Sequence, residues 1–339
     1  MKKSINTLFS IETKFLTKSF GDVIAVNDIS FSVNSGEIFG FLGPNGAGKS
    51  TTMMILTTLL KPTSGKALIS EFDVTSNAKK VREHIGYVQQ ETTVDEYLTG
   101  RENLLLQAKL NHIPKNEIDK RIDEVLDLIE LSEKQNDSVV TYSGGMRKRL
   151  DIAGGLLHRP KVLFLDEPTV GLDIQTRRKI WEYIKKIHKE FDMTIFLSTH
   201  YMEEADNLCD RIGIIDGGKI QVIDSPENMK NAMGNEVISI IMDDNTSHNS
   251  FLSKLKEIRF VKNITEDGSK LTLFVSNGTQ VIPKIFQISS ELEIKINTIS
   301  LTRPTLDDVF LSYTGHEIRD DDSHFNRRRE HAKMKRMRS

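Results

Sequence analysis

Residues 43–50 read Gly-Pro-Asn-Gly-Ala-Gly-Lys-Ser and fit the pattern G-x-x-x-x-G-K-[ST]. The apolar run 37–42 precedes them, and the stretch 50–60, rich in Met, Ile and Leu, follows. Lys61-Pro-Thr-Ser-Gly65 ends that stretch, so the order is strand, glycine-rich loop, helix. Such a loop lets backbone N–H groups wrap phosphate oxygens while the helix points its positive end at the anion. Lys49 is placed to reach the β- and γ-phosphates, and Ser50 to ligate Mg²⁺. Few architectures offer this arrangement except a parallel α/β sheet.

The loop alone says only that a nucleotide binds. Chemistry enters with residues 163–167, Leu-Phe-Leu-Asp-Glu, an apolar strand that ends in two acids. Asp166 at the strand tip suits Mg²⁺, held through water. Glu167 beside it can polarise an attacking water as general base. Residues 142–146, Tyr-Ser-Gly-Gly-Met, lead into a helix and form a second anion-binding N-terminus. Alone, Ser143 is also an ordinary helix N-cap. Two phosphate-binding loops need either two nucleotides or one nucleotide between two subunits.

Further strands are expected at 11–16, 23–26 and 29–33, punctuated by Gly21-Asp22 and Asn27-Asp28 into an antiparallel sheet. Residues 162–165 and 194–197 are apolar on both faces, as buried parallel strands are. Between 116 and 131, Ile118, Ile122, Val125, Leu126 and Ile129 fall at helical spacing. Asp216-Gly-Gly-Lys219 turns a hairpin between 212–215 and 220–223. Past Ser225-Pro226 the order reads β-α-β-β-α-β, with strands at 237–242, 260–264, 271–275 and 294–301 and helices at 251–258 and 281–289. That is a small ferredoxin-like unit. Thr305 and Asp308 then open a last short helix with a capping box.

Composition narrows the class. With 339 residues, 38% hydrophobic and 28% charged, the chain is globular and of two or three domains. One cysteine, Cys209, excludes an intramolecular disulfide and a CxxC-type metal site. No window reaches the ~18 apolar residues of a membrane helix, and the N-terminus does not read as a secretory signal. A soluble, cytoplasmic protein is expected. The net charge of −2 hides a tail, 325–339, with seven basic residues and one acid. Three readings of it are open: a solvated terminus, a tether to anionic lipid, or a nucleic-acid contact.

Together these residues resemble the ATP-binding subunit of ABC transporters. The resemblance covers about 11–223 and its motifs are specific. Residues 43–50 look like Walker A, with Gly43, Pro44, Asn45, Gly46, Ala47, Gly48, Lys49, Ser50 and Thr51 on the nucleotide. Gln90 looks like the Q-loop glutamine, a contact of Mg²⁺ or of the water. Ser143, Gly144 and Gly145 look like the signature loop. Asp166 closes a Walker B strand, and Glu167 looks like the catalytic glutamate. Residues 171–173 look like the D-loop, with Asp173 at the subunit boundary, and His200 looks like the switch histidine. Phe20 sits where the family stacks an aromatic on adenine. Residues 99–104, 143–147, 166–173 and Arg303-Pro-Thr-Leu-Asp-Asp-Val-Phe310 extend the resemblance, to about 315, to daunorubicin-resistance-type drug exporters.

The resemblance implies a P-loop NTPase core with antiparallel β and helical subdomains. The cassette would span 11–225, its helical subdomain about 91–158. A small α+β domain at 226–315 and a basic tail at 316–339 would follow. It implies ATP and Mg²⁺, a homodimer or pseudo-dimer of ATPase subunits with each ATP between Walker A of one copy and the signature loop of the other, and a separate membrane permease on whose cytoplasmic face the subunit sits. Val94, Tyr97 and Leu98 are candidates for the permease contact. The rival reading is a non-transport ABC ATPase acting on nucleic acid or the ribosome; 92 residues separate Ser50 from Ser143, too few for the coiled-coil arm of DNA-repair relatives, and translation-factor relatives carry two cassettes where one is read here, so no nucleic acid is expected. Three departures stand out. Met146 replaces the usual signature glutamine, Tyr142 a leucine, and Phe20 the commoner tyrosine; stacking needs the ring and not the hydroxyl. Gly154-Gly155 should soften the signature helix, at about 1 kcal/mol per glycine relative to alanine.

Overall fold

The computed structural model describes residues 9–234, 236–242, 248–268 and 270–315; the basic tail lies outside them. Three strands have every residue buried: β3 (Ile38–Leu42), β7 (Val162–Asp166) and β8 (Thr194–Thr199). Their side chains are covered from both sides, which is why the sequence there does not alternate. With β6 (Ile85–Val88), β9 (Arg211–Asp216) and β10 (Lys219–Asp224) they build a six-stranded sheet in the order β10-β9-β3-β8-β7-β6. All neighbours in it are parallel except the β9–β10 hairpin.

A second, antiparallel sheet has the order β2-β1-β4-β5, from β1 (Phe9–Phe20), β2 (Val23–Asn34), β4 (Ser64–Ile69) and β5 (Phe72–Asp73). The helix α1 (Lys49–Leu56) follows the glycine-rich loop, and α2 (Ala78–His84) leads into β6. The two sheets share a core of aromatic rings. Phe31 of β2 stacks on Phe39, Phe41 and Phe196 with centroids 5.6–6.0 Å apart. Each such pair adds roughly 0.5–1.5 kcal/mol beyond its buried area.

Three helices form the helical region: α3 (Gly100–Leu110), α4 (Lys115–Leu128) and α5 (Gly144–Leu156). A capping box of Thr99 and Glu102 starts α3. The expected apolar stripe of α4 is buried at Ile118, Ile122, Val125 and Leu126. Two more helices, α6 (Ile174–Phe191) and α7 (Met202–Leu208), return the chain to the main sheet, and α8 (Pro226–Met233) leaves it.

The last unit has its own core. Its strands are β11 (Glu236–Met242), β12 (Val261–Asp267), β13 (Lys270–Val275) and β14 (Ile296–Thr302), in the order β12-β13-β11-β14, all antiparallel. That is the sheet of the ferredoxin-like β-α-β-β-α-β order expected above. Helices α9 (His248–Lys256) and α10 (Gly278–Glu291) supply Phe251, Leu255, Val281 and Ile285 to this core. The closing helix α11 (Leu306–Thr314) carries the expected Thr305–Asp308 capping box. It does not join that core. Leu306, Val309 and Phe310 pack into the same cluster as Met202, Ala205 and Leu208 of α7.

Some local readings differ from the sequence. Asn27-Asp28 is no turn: β2 runs through it, with Asp28 in the left-handed region at φ 56° and its N–H on the Thr17 hydroxyl. The residue bulges rather than reverses the chain. Strand β4 was not read, because Ser64, Gly65 and Lys66 are exposed and break the pattern. Strand β6 was not read either, because it has four residues and contains Gly86. Gly86 has a packing reason. A Cβ there would lie 2.3 Å from the Gly155 carbonyl oxygen, so α5 lies directly on β6. Gly154 has no such neighbour; its nearest contact would be Gln107 Cγ at 3.4 Å. Gly86→Ala is therefore expected to destabilise the chain by about 2–3 kcal/mol through overpacking. Gly154→Ala is expected to stabilise it by about 0.5–1 kcal/mol. Urea unfolding of the two variants against the parent measures both signs.

Candidate active site

The sheet order places the site. Strands β3, β8, β7 and β6 are consecutive neighbours, and all run the same way. Their C-terminal ends therefore meet along one edge, where ligands of open α/β sheets bind. The glycine-rich loop leaves β3, His200 follows β8, Glu167 follows β7, and Gln90 follows β6. Four segments distant in sequence thus face one another.

The loop needs glycine at Gly46, at φ 84°, and where neighbouring backbone crowds it. At Gly43 a Cβ would fall 2.2 Å from the Ile215 carbonyl oxygen, and at Gly48, φ 106°, 2.5 Å from that of Ala25. Lys49 opens α1, and its buried side chain turns back into the loop. The ammonium donates to the carbonyls of Gly43 and Pro44 at 2.8 and 3.0 Å and pairs with Glu167 Oε1 at 3.2 Å. Burial pushes the Lys49 ammonium down, against the pull of Glu167 and Asp166.

Glu167 is the centre of the cluster. Its Oε1 also lies 3.2 Å from His200 Nδ1, and its Oε2 accepts from Gln90 Nε2 at 3.2 Å. Burial alone would raise this carboxyl; the His200 and Lys49 contacts outweigh it and hold the group below the usual range. The backbone there is at φ 45°, which costs a non-glycine residue roughly 1–3 kcal/mol and has to be enforced by its surroundings. The Glu167 N–H is fixed by both the hydroxyl and the carbonyl of Ser198, each at 3.1 Å. Asp166 accepts from Ser198 Oγ and, at 3.4 Å, from Ser50 Oγ. Burial, then the neighbouring Glu167 charge, raises its carboxyl.

Among the described residues no cluster of three or more His, Cys, Asp or Glu could cage a metal. The pair of hard oxygens on Ser50 and Asp166 still fits Mg²⁺, which takes few protein ligands and fills its octahedron with water and phosphate.

The remaining expected residues are placed as follows. Phe20 ends β1, half exposed, with Lys18 Nζ 5.0 Å from its ring centre. Asn45 and Gly46 are exposed at the loop tip, Ala47 is buried, and Thr51 lies on α1. Ser143 caps α5 through the Met146 N–H, and Ser143 and Gly144 are exposed. Asp173 caps α6 and accepts from the N–H and hydroxyl of Thr176 at 2.9 and 2.7 Å. Within the chain that carboxylate serves the helix end.

Several partners were not read from the sequence. Ser198 and Tyr87 hold Asp166. Lys148 of α5 donates to the Gln89 and Gln90 carbonyls at 2.6 and 3.3 Å, and Asp151 accepts from the Thr93 hydroxyl at 2.7 Å. Both are buried, so α5 grips the segment that carries Gln90. A signal was available: Lys148 lies three residues after Gly145 and four before Ile152, on the buried face of the helix.

The depressed Glu167 carboxyl has a consequence for stability. A carboxyl lowered on folding stabilises above its unfolded value and loses that contribution as pH falls through the folded one. The stability difference between the parent and Glu167→Gln should therefore shrink as pH drops from about 6 to about 3. Denaturant titrations across that range test it; a constant difference would show that Glu167 is not held ionised.

Comparison with known proteins agrees with this geometry. The ABC transporter family model matches residues 26–170, and the model of the C-terminal domain of DrrA1-3-like ATP-binding proteins matches 225–314. The linearmycin resistance ATP-binding protein LnrL of Bacillus subtilis is 34% identical over 312 residues, covering 91% of this chain and 100% of that protein. The doxorubicin resistance ATP-binding protein DrrA of Mycobacterium tuberculosis is 38% identical over 297 residues, covering 87% of this chain and 89% of that one. Among solved structures, cbiO1 of Clostridium perfringens, part of the transporter complex cbiONQ, superposes with a TM-score of 0.63 at 26% identity over 74% of this chain and 96% of its own. The dimeric post-hydrolysis state of the cassette MJ0796 bound to ADP and Pi does so with a TM-score of 0.57 at 29% identity, over 63% and 98%. The parallel sheet with its phosphate loop and the C-terminal unit are thus those of an ATP-hydrolysing subunit, and the chain belongs to the ABC transporter ATP-binding proteins, in the branch of the daunorubicin- and doxorubicin-resistance proteins.

Proposed function

We propose that the chain hydrolyses MgATP as the motor of an exporter, with Glu167 as general base, and delivers the resulting motion to a separate membrane permease. The observation that carries this reading is the single carboxylate ringed by Lys49, His200 and Gln90. A general base has to be ionised at working pH and held within reach of its water. The lowered Glu167 carboxyl supplies the first, and the three contacts supply the second.

Phosphoryl transfer is mostly positioning and charge stabilisation. The backbone N–H groups from Gly43 to Gly48 cradle the phosphates at the N-terminus of α1. Lys49 exchanges Glu167 for the γ-phosphate, which frees the Glu167 carboxylate for water. His200 contacts the γ-phosphate and closes the site, and Gln90 orients the water. Phe20 stacks on the adenine. Ser50 and Asp166, with Gln90, would hold Mg²⁺, which neutralises the phosphate charge when bound. The loop at 143–145, exposed at Ser143 and Gly144, completes the site of a second copy across a head-to-tail dimer, with Asp173 at the boundary.

No helix among the described residues is long and apolar enough to cross a membrane, which agrees with a permease on another chain. The subunit docks on that permease from the cytoplasmic side. Between the core and the helical region runs a cleft of about 270 Å³ lined in part by Leu59, Tyr87, Thr93, Val94 and Leu104. It receives the permease through Val94 in its lining, with Tyr97, 94% exposed, and Leu98 following Val94 in sequence. The cargo is recognised by the permease; the resistance and Nod factor export proteins among the relatives support an exported small molecule.

The test is MgATP-dependent dimerisation of Glu167→Gln by light scattering, with hydrolysis measured beside it. Loss of about 10²–10⁴ in hydrolysis together with a stable ATP-bound dimer is expected. A monomer that still hydrolyses ATP would overturn both the base and the sandwich.

A further inference from the structure

Glu204 lies on α7, four residues past His200, with 1% of its surface exposed. The reaction proposed above gives it no part. Its Oε1 accepts from Thr169 Oγ1 at 2.8 Å and from Trp181 Nε1 at 3.0 Å, and a further side-chain hydrogen bond joins it to Thr199. These partners come from three separate segments. Thr169 stands two residues after Glu167, in the loop that leaves β7. Trp181 belongs to α6, the helix that Asp173 caps. Thr199 ends β8 directly before His200. Thr169 and Thr199 are themselves fully buried.

The tie continues to the histidine. Thr199 Oγ1 accepts the Tyr201 N–H at 3.0 Å, so the backbone on both sides of His200 is fixed by one hydroxyl. The Tyr201 ring lies 4.0 Å from that of His200 and 3.9 Å from the Arg177 guanidinium of α6. An apolar side chain could occupy this volume, but it would leave the Thr169 and Thr199 hydroxyls and the Trp181 indole N–H buried without their acceptor. What an apolar side chain cannot do is hold two hydroxyls and an indole in fixed directions.

We infer that Glu204 is a positioning residue, which through Thr169 and Thr199 fixes the Glu167 and His200 segments relative to each other and to α6. The inference rests on the roles proposed for Glu167 and His200. It accounts for a feature those roles leave unexplained: the left-handed backbone of Glu167 is enforced from Ser198 on one side and steadied two residues on by Thr169. Burial raises the Glu204 carboxyl, in keeping with a group that acts by hydrogen bonds rather than by charge.

The test uses the full chain and four variants, Thr169→Val, Glu204→Leu, Glu204→Gln and Glu167→Gln, each measured for kcat, the KM for ATP and the melting temperature. Thr169→Val and Glu204→Leu are expected to lower kcat by about 10–100-fold with the KM for ATP within about twofold, because misplacement acts on the chemical step. Glu204→Gln keeps an acceptor for Thr169 and Trp181 and is expected to retain most of kcat. Thr169→Val exchanges one hydroxyl for a methyl and serves where Glu204→Leu fails to fold. A folded Thr169→Val with parental kcat, or a Glu204→Gln as slow as Glu204→Leu, would overturn the inference while Glu167→Gln stays inactive. A Glu167→Gln that hydrolyses ATP at the parental rate would instead remove the reaction on which it rests.

Discussion

One buried carboxylate organises this molecule. Glu167 draws Lys49, His200 and Gln90 together from the ends of three other strands. Removing a buried charge from water is expensive unless it is paired and hydrogen-bonded, so the segments that supply the partners cannot drift independently. The parallel sheet makes the meeting possible, because its neighbouring strands end on one edge. The aromatic stack of Phe31, Phe39, Phe41 and Phe196 holds the antiparallel sheet against it. Fold and site are thus coupled through the same few strand ends.

The contacts around that centre suggest how a nucleotide could be felt elsewhere. Lys148 and Asp151 clamp the Gln90 segment to α5, the helix that begins with the exposed Ser143 loop. In the proposed dimer, the end that meets the second copy's nucleotide is therefore rigidly connected to the stretch that faces the permease cleft. On the other side, α11 packs with α7, the helix that follows His200. Through α11 the C-terminal unit is anchored on α7, which starts two residues past His200.

Much of this was legible in the residues. The loop at 43–50, the two acids after an apolar strand, and the β-α-β-β-α-β order each rest on a local pattern with a physical cause, and the structure has all three. Lys49, Ser50, Asp166, Glu167, Gln90 and His200 come together as their motifs imply. What escaped was of another kind. Lys148 and Asp151 sit among the charges Arg147 and Arg149 of α5, and only the helical spacing of Lys148 from Gly145 and Ile152 marks it as buried. Ser198, Thr169 and Glu204 become partners only when β7 and β8 lie side by side, a long-range fact with no local signature. Gly155 reads as a soft point of its helix, and Gly86 hides a short strand; the reason for both is the close approach of two backbones.

The proposal that one chain carries only half of each site is tested most directly by mixing two inactive chains. Lys49→Ala removes the ammonium of one half-site, and Ser143→Arg blocks the signature loop of the other. A mixed dimer still holds one intact Lys49 facing one intact Ser143. The account predicts no hydrolysis from either chain alone and clear recovery on mixing. A mixture as inactive as its parents would contradict a site built across two copies.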